Sequence, residues 1–268
     1  MILIFLFFLA LNQENSSLIA QINNQKITQK DLDYQIKVDS CYGLKNQAQE
    51  PALIEIINKF FEEQVLNSAF ENKISDKELE KKAEWVDKNT KAPEILECVK
   101  KVFGEDRKKY LDFYIKPTLV NPRLHLEFSL SPRIHQREIE EIKAIKKDLD
   151  TGKKLEDFSN YQKWEIPKDT DFPTDPLVDK VIKNLKLGQV WLNIIKDDFS
   201  YKIVRLLEED KEKYYLDGVI VQKMAFDPWF QDYVKRNIKI EILDQELLTG
   251  IKTNHPNLWW VSSLYVCL

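Results

Sequence analysis

The residues able to do chemistry are few, and their spacing rules out more than it supports. There are three cysteines, Cys41, Cys98 and Cys267, and three histidines, His125, His135 and His255. The cysteine spacing fits neither a zinc pattern nor a C-x-x-C redox pair. Cys41 and Cys98 have two readings: a disulfide in an oxidising compartment, or buried free thiols, and the second is expected. Six glycines in 268 residues are too few for Gly-rich phosphate cradles, and neither G-x-G-x-x-G nor G-x-x-x-x-G-K-[ST] occurs. No cofactor and no metal is therefore expected. With 44 acidic against 40 basic residues there is no basic field for nucleic acid.

The bulk of the chain is that of a water-soluble globular protein, 43% apolar and 31% charged. Met1 to Leu11, MILIFLFFLAL, is too short to span a bilayer as a helix but suits a signal-peptide core, with a retained anchor or a buried strand as alternatives. Polar Asn12 to Ser17 then offers a cleavage region, and no cysteine stands close enough for a lipoprotein anchor.

The elements follow from local signals. Ser17 to Thr28 reads as two short strands around a turn at Asn23-Asn24, and Thr28 with Asp31 caps a helix. Leu53, Ile56, Ile57, Phe60 and Phe61 recur at helical spacing. Ser75 to Glu78 is a capping box, and Pro93 and Gly104 bracket a further helix. A helix with Tyr110, Leu111, Phe113 and Tyr114 is expected to end at Pro117 and Pro122. Beyond Pro122 the texture changes. Arg123 to Leu130, RLHLEFSL, alternates like a half-buried strand, and Arg137 to Asp150 reads as a charged amphipathic helix closed by Thr151-Gly152. Pro176 and Gly188 bracket a helix; Val190 to Ile195 and Phe199 to Leu207 read as strands joined at Lys196-Asp197-Asp198. From Glu208, Tyr215, Val219, Met224, Trp229, Phe230 and Val234 predict a long helix, followed by a short strand at Lys239 to Leu243. The charge runs at Lys100–Lys101, Arg107–Lys109 and Glu208–Lys213 read as solvated helix faces.

This order, with its particular words, resembles the SurA/PrsA type of periplasmic and extracytoplasmic foldases. IAQINNQKITQKDLDYQI looks like the opening of that family's peptide-binding domain, and ALIEIINKFFEEQVLNSAFENKISDKELEKK like its next two helices. LHLEF, IKKDLDTGKKLEDFSNY, LVDKVIKNLKLGQVW and FSYKIVRLLEE are similar, in that order, to the words of a parvulin prolyl isomerase. The resemblance implies an α+β fold: a mainly helical SurA-like chaperone domain with a small parvulin-like domain inserted and a C-terminal helix returning to the helical unit. Its segments are 1–16 (signal peptide or N-terminal anchor), 17–122 (peptide-binding), 123–207 (parvulin-like), 208–243 (returning helix and strand) and 244–268 (a tail outside the resemblance).

Active parvulins set two histidines on facing strands beneath the substrate proline. The resemblance puts His125 at the first position, as the single candidate catalytic residue, and Lys202 where the second histidine belongs. The family's Gly-Gly-Asp-Leu-Gly loop before Trp164 is largely missing. His135 and His255 have no counterpart there and are expected at the surface. The resemblance thus implies an extracytoplasmic chaperone, in the periplasm or held at the inner membrane by an uncleaved N-terminal segment. Its partners would be unfolded or extended client polypeptides. Two alternatives stand beside this: an active prolyl isomerase, and a non-enzymatic interaction subunit of an envelope assembly. The apolar tail NLWWVSSLYVCL could dock on the helical domain, touch a membrane interface through Trp259 and Trp260, or mimic a client peptide.

Overall fold

A computed structural model describes residues 17–44, 48–168 and 176–261. Residues 1–16, expected to be a signal or anchor segment, and Cys267 in the tail lie outside the described residues. The protein is α+β and divides into two units: the chain up to His125 with Phe230 onward, and Leu126–Trp229.

The first unit opens on the expected hairpin, β1 (Leu18–Ile22) and β2 (Gln25–Thr28). Asn23 takes φ +50° at the turn, a left-handed conformation that asparagine tolerates. Thr28 and Asp31 form a reciprocal capping box at the head of α1 (Gln29–Cys41). α2 (Gln49–Ala69) buries Leu53, Ile56, Ile57 and Phe61, so these side chains are core and not an exposed client-binding face. α3 (Asp76–Asn89) starts at the Ser75–Glu78 box, and α4 (Pro93–Phe103) runs from Pro93 to a glycine at φ +56°.

The next stretch departs from expectation. α5 (Arg107–Tyr110) runs into a π-helical turn, Leu111–Ile115, and then into α6 (Pro117–Leu130). Pro117 heads that last helix and Pro122 lies within it, so neither ends the helical run. The predicted strand RLHLEFSL is helical. Val120, Leu124 and Phe128 are buried at four-residue spacing, while Leu126 and Leu130 are exposed. An alternating apolar run contains an i, i+4 row, and here that row meets the core.

The second unit continues with α7 (Gln136–Asp150), closed at Gly152 as expected, then β3 (Tyr161–Pro167), α8 (Pro176–Ile182), β4 (Val190–Lys196), β5 (Ser200–Glu209) and β6 (Lys213–Gln222). The strands form an antiparallel sheet in the order β3-β6-β5-β4. One face meets α7: Ile142 and Ile145 pack with Tyr201, Ile203, Val219 and Val221. The other face meets α8, where Val178 and Ile182 pack with Val204, Leu206 and Leu216.

β6 overturns the long helix expected from Glu208. A central strand covered on both faces is apolar on both sides, and the four-residue spacing of Tyr215 and Val219 imitated a helix. The Glu208–Lys213 run is accordingly a strand end and a turn, in which Asp210 accepts the backbone N–H groups of Glu212 and Lys213 at 2.7 Å each.

α9 (Phe226–Asn237) leads back to the first unit, where β7 (Ile240–Ile242) pairs antiparallel with β1, giving the order β2-β1-β7, before α10 (Gln245–Asn254). The described end of the tail, up to residue 261, packs on the helical unit. Trp260 is 1% exposed, and its ring centroid lies 6.1 Å from that of Phe61; Trp259 stands 5.7 Å from Phe61 and 6.1 Å from Phe230. No described helix is long and apolar enough to cross a membrane.

The helical unit is also cross-linked. Cys41, at the end of α1, is disulfide-bonded to Cys98 in α4, with Cα atoms 5.7 Å apart. Free thiols were the expectation; the packing of α1 on α4 brings the pair together instead. A bridge between residues 57 positions apart removes denatured-chain entropy equivalent to about 4 kcal/mol.

Candidate functional site

The strand that the resemblance associates with catalysis is β5, and the cleft beside it is organised by one turn. Asp197 opens the β4–β5 connection and accepts the backbone N–H groups of Phe199 and Ser200 at 2.7 Å each. Its other oxygen lies 2.6 Å from the Lys202 ammonium. Burial alone would raise the Asp197 carboxyl; Lys202 and the Phe199 N–H outweigh it and hold the group below the usual carboxylate range.

Lys223, just past β6, ties the same turn down. Its ammonium donates to the carbonyls of Asp197 (2.5 Å) and Ser129 (3.0 Å), and the Ser129 hydroxyl reaches the Asp198 carboxylate at 3.0 Å. Burial lowers the Lys223 ammonium, and neighbouring Lys196 adds to the effect. The ammonium also serves the carbonyl end of α6, where a cation complements the helix dipole.

Around this tie opens a cleft of about 520 Å³, with Leu177, Phe199 and Ile220 as its apolar wall and Lys196, Asp198 and Lys202 as its polar one. Phe199 is 78% exposed and Leu177 44%. Such a cleft can hold an apolar side chain. Lys202 and Asp197 neutralise each other, and Ser200, 2% exposed and bonded to Asp197, is out of reach as a nucleophile.

The sequence-predicted catalytic residue is not on a strand. His125 is on α6, a helix, with its side chain on the exposed side, and it belongs to the helical unit while Lys202 belongs to the other. Burial raises the Glu62 carboxyl of α2 against the opposing hydrogen bond that it accepts from Asn121 at 2.9 Å and the smaller influence of His125. A histidine pair under a substrate proline is therefore not formed. His135, expected at the surface, is wholly buried: one ring nitrogen bonds the Phe128 carbonyl at 3.0 Å and the other has no partner. Burial lowers its pKa. His255 is partly exposed, 3.8 Å from Glu50. Among the described residues no group of histidine, cysteine or acid side chains could hold a metal.

The helical unit has a smaller cleft of its own. Ile56 and Phe60 of α2, Phe113 of the π-helical turn, and Pro117 and Val120 of α6 line it. It encloses about 20 Å³, room for roughly one water molecule. Lys116 is anchored beside it by Asp112 at 2.8 Å and Glu63 at 3.4 Å.

Sequence reasoning missed Lys223, Phe199 and Leu177 as a group. Their proximity depends on β6 being a strand, and nothing in the local pattern marks Phe199 as exposed. Comparison with protein-family models, with curated proteins and with solved structures finds no match for this chain.

Proposed function

We propose that this chain is an extracytoplasmic chaperone of the SurA/PrsA kind, which binds extended segments of unfolded client polypeptides and has no prolyl isomerase activity. The observation that carries this reading is the cleft beside β5. It joins the largely exposed Phe199 and Leu177 to a polar wall in which Lys202 is already paired with Asp197. An open apolar surface of this sort favours contact with many apolar side chains at little sequence specificity, which is what client binding asks for. Isomerisation asks for more, a surface that stabilises a twisted amide against a barrier of about 18–20 kcal/mol, and the β5 cleft has no pair of histidines to offer.

Two further features support the reading. The disulfide between Cys41 and Cys98 suits an oxidising compartment outside the cytoplasm. The pairing of β7 with β1 suits a helical domain that is interrupted by an insert and then completed.

The test combines two assays on the purified full chain. Light scattering of a denatured client diluted into buffer should fall when the protein is present, and Phe199→Ser should weaken that protection without lowering thermal stability. Cis/trans exchange of a proline peptide, slow enough uncatalysed to reveal weak catalysis, should proceed at the uncatalysed rate. Acceleration that His125→Ala abolishes would overturn the non-catalytic part, and failure to protect any of several clients would overturn the chaperone part.

A further inference from the structure

A broad concavity in the helical unit is walled by amides. It measures about 710 Å³ and is lined by Gln21, Asn23 and Asn24 of the hairpin, Gln64 of α2 and Asn237 at the end of α9. The two remaining lining residues, Lys239 and Glu241, carry opposite charges. Asparagine and glutamine make up 30 of the 268 residues, so a random choice of seven would contain fewer than one carboxamide on average; this basin has five. They come from three stretches of sequence that only the completed fold brings together, since β7 must lie beside β1 before Asn237 and Lys239 can meet the hairpin.

Most of these carboxamides are anchored by one bond, with their other function left over. Gln21 donates to the Asn23 carbonyl at 2.6 Å, Gln64 to the Gln25 side-chain oxygen at 3.1 Å, and Asn237 to the Tyr233 carbonyl at 2.8 Å. Each keeps its own carbonyl oxygen as an acceptor. The Asn23 oxygen receives the backbone N–H of Lys239 at 2.9 Å, which leaves its NH2 as a donor, and Asn24 is exposed with both functions. The basin therefore presents held acceptors and donors, with its two opposite charges close to neutral in sum.

We infer that this basin binds the main chain of an extended polypeptide, reading its amide N–H and C=O groups and not its side chains. An amide wall has the same donor and acceptor chemistry as the peptide bond it would face. A neutral polyhydroxyl ligand shares part of that chemistry, but no aromatic ring lines the basin to stack on a sugar face. The inference rests on the chaperone reading and deepens it: side-chain contact at the β5 cleft would be joined by sequence-independent backbone contact in the helical unit.

The experiment uses the full chain and a fluorescein-labelled octapeptide of tyrosine and serine, with a second copy methylated at alternate backbone nitrogens. Fluorescence anisotropy should show the methylated copy binding about tenfold more weakly, the loss of one or two hydrogen bonds. Gln21→Met with Gln64→Met should weaken the unmethylated peptide by a similar factor, leave thermal stability unchanged, and remove most of the discrimination against methylation. Because methylation is tested on the unaltered protein, a misfolded variant cannot decide the outcome. Equal affinity for both copies overturns the inference, as does displacement of the peptide by a neutral oligosaccharide such as cellohexaose. If the protein binds neither peptide and protects no client, it is the chaperone reading that fails; if it protects clients yet ignores methylation, only the backbone-reading basin fails.

Discussion

The two units solve the problem of holding together by different means. In the helical unit, contacts between neighbours in sequence build each helix, and long-range closures lock the set: a disulfide from α1 to α4, β7 against β1, and Trp260 seated on Phe61. The α+β unit has no cross-link among its described residues. It relies on a sheet covered on both faces and on a buried charge, Asp217, which is 0% exposed. Arg205, directly opposite on β5, grips that carboxylate with two nitrogens while the Tyr161 hydroxyl donates to it at 2.8 Å. The contrast says where each unit is vulnerable: the first to reduction, the second to loss of one polar partner.

The largest expected effect is therefore on the helical unit. Replacing both cysteines, Cys41→Ser with Cys98→Ser, should destabilise it by about 4 kcal/mol. Hydrogen exchange read by mass spectrometry should show α1 and α4 opening more readily while β5 and β6 keep their protection. Equal loss in both units would mean that they unfold as one.

Asp217→Ala should act in the opposite sense, costing the α+β unit about 3 kcal/mol because Arg205 keeps its charge at a site built for a pair. The same exchange experiment should then show β5 and β6 losing protection with α1 unchanged. An unaltered melting curve would mean that the pair is stably replaced by water.

The smallest effect is one of pH. The buried His135 faces Lys223 and Lys196, which oppose its protonation, and Glu138, which favours it. Burial is the dominant influence and lowers its folded pKa beneath the ordinary 6.5. The unfolded chain thus takes up a proton that the folded unit refuses, so this residue's contribution is intact above pH 6.5 and declines as the pH falls below it. His135→Gln keeps a donor for the Phe128 carbonyl without titrating, and denaturant midpoints of the α+β unit should then vary less between pH 7 and pH 5. A slope identical to that of the unaltered protein would sink the assignment.

What the sequence disclosed of this contrast is uneven, for reasons that lie in particular residues. The helical unit was legible at its starts, because Thr28 with Asp31, and Ser75 with Glu78, satisfy the first N–H groups through residues three apart. Its closures were not. A disulfide, a strand returning from residue 240 and a docked tryptophan are all facts about distance in space. In the α+β unit the edge strand β3 was hidden by its exposed Gln162, Lys163 and Glu165, the last two being charges of the sort that protect a sheet edge from foreign strands. The candidate site suffered most. His125 is on a helix and not in the sheet, and the cleft beside β5 depends on Phe199 and on the turn that Lys223 holds, neither of which carries a local signature.

The pairing of β1 with β7 also sets an order of events in time. Gln21 and Glu241 face each other in the finished sheet although 220 positions separate them. A freely coiling loop of that length slows the search for the partner strand, while a loop whose middle has already collapsed is effectively shorter. During synthesis the hairpin emerges early and waits beside helices that are missing one strand of their sheet. The α+β unit, contiguous in sequence, can fold meanwhile without it. The helical unit is thus the last part of the molecule to become complete, and the amide basin and the Trp260 seat come into being together at that final step.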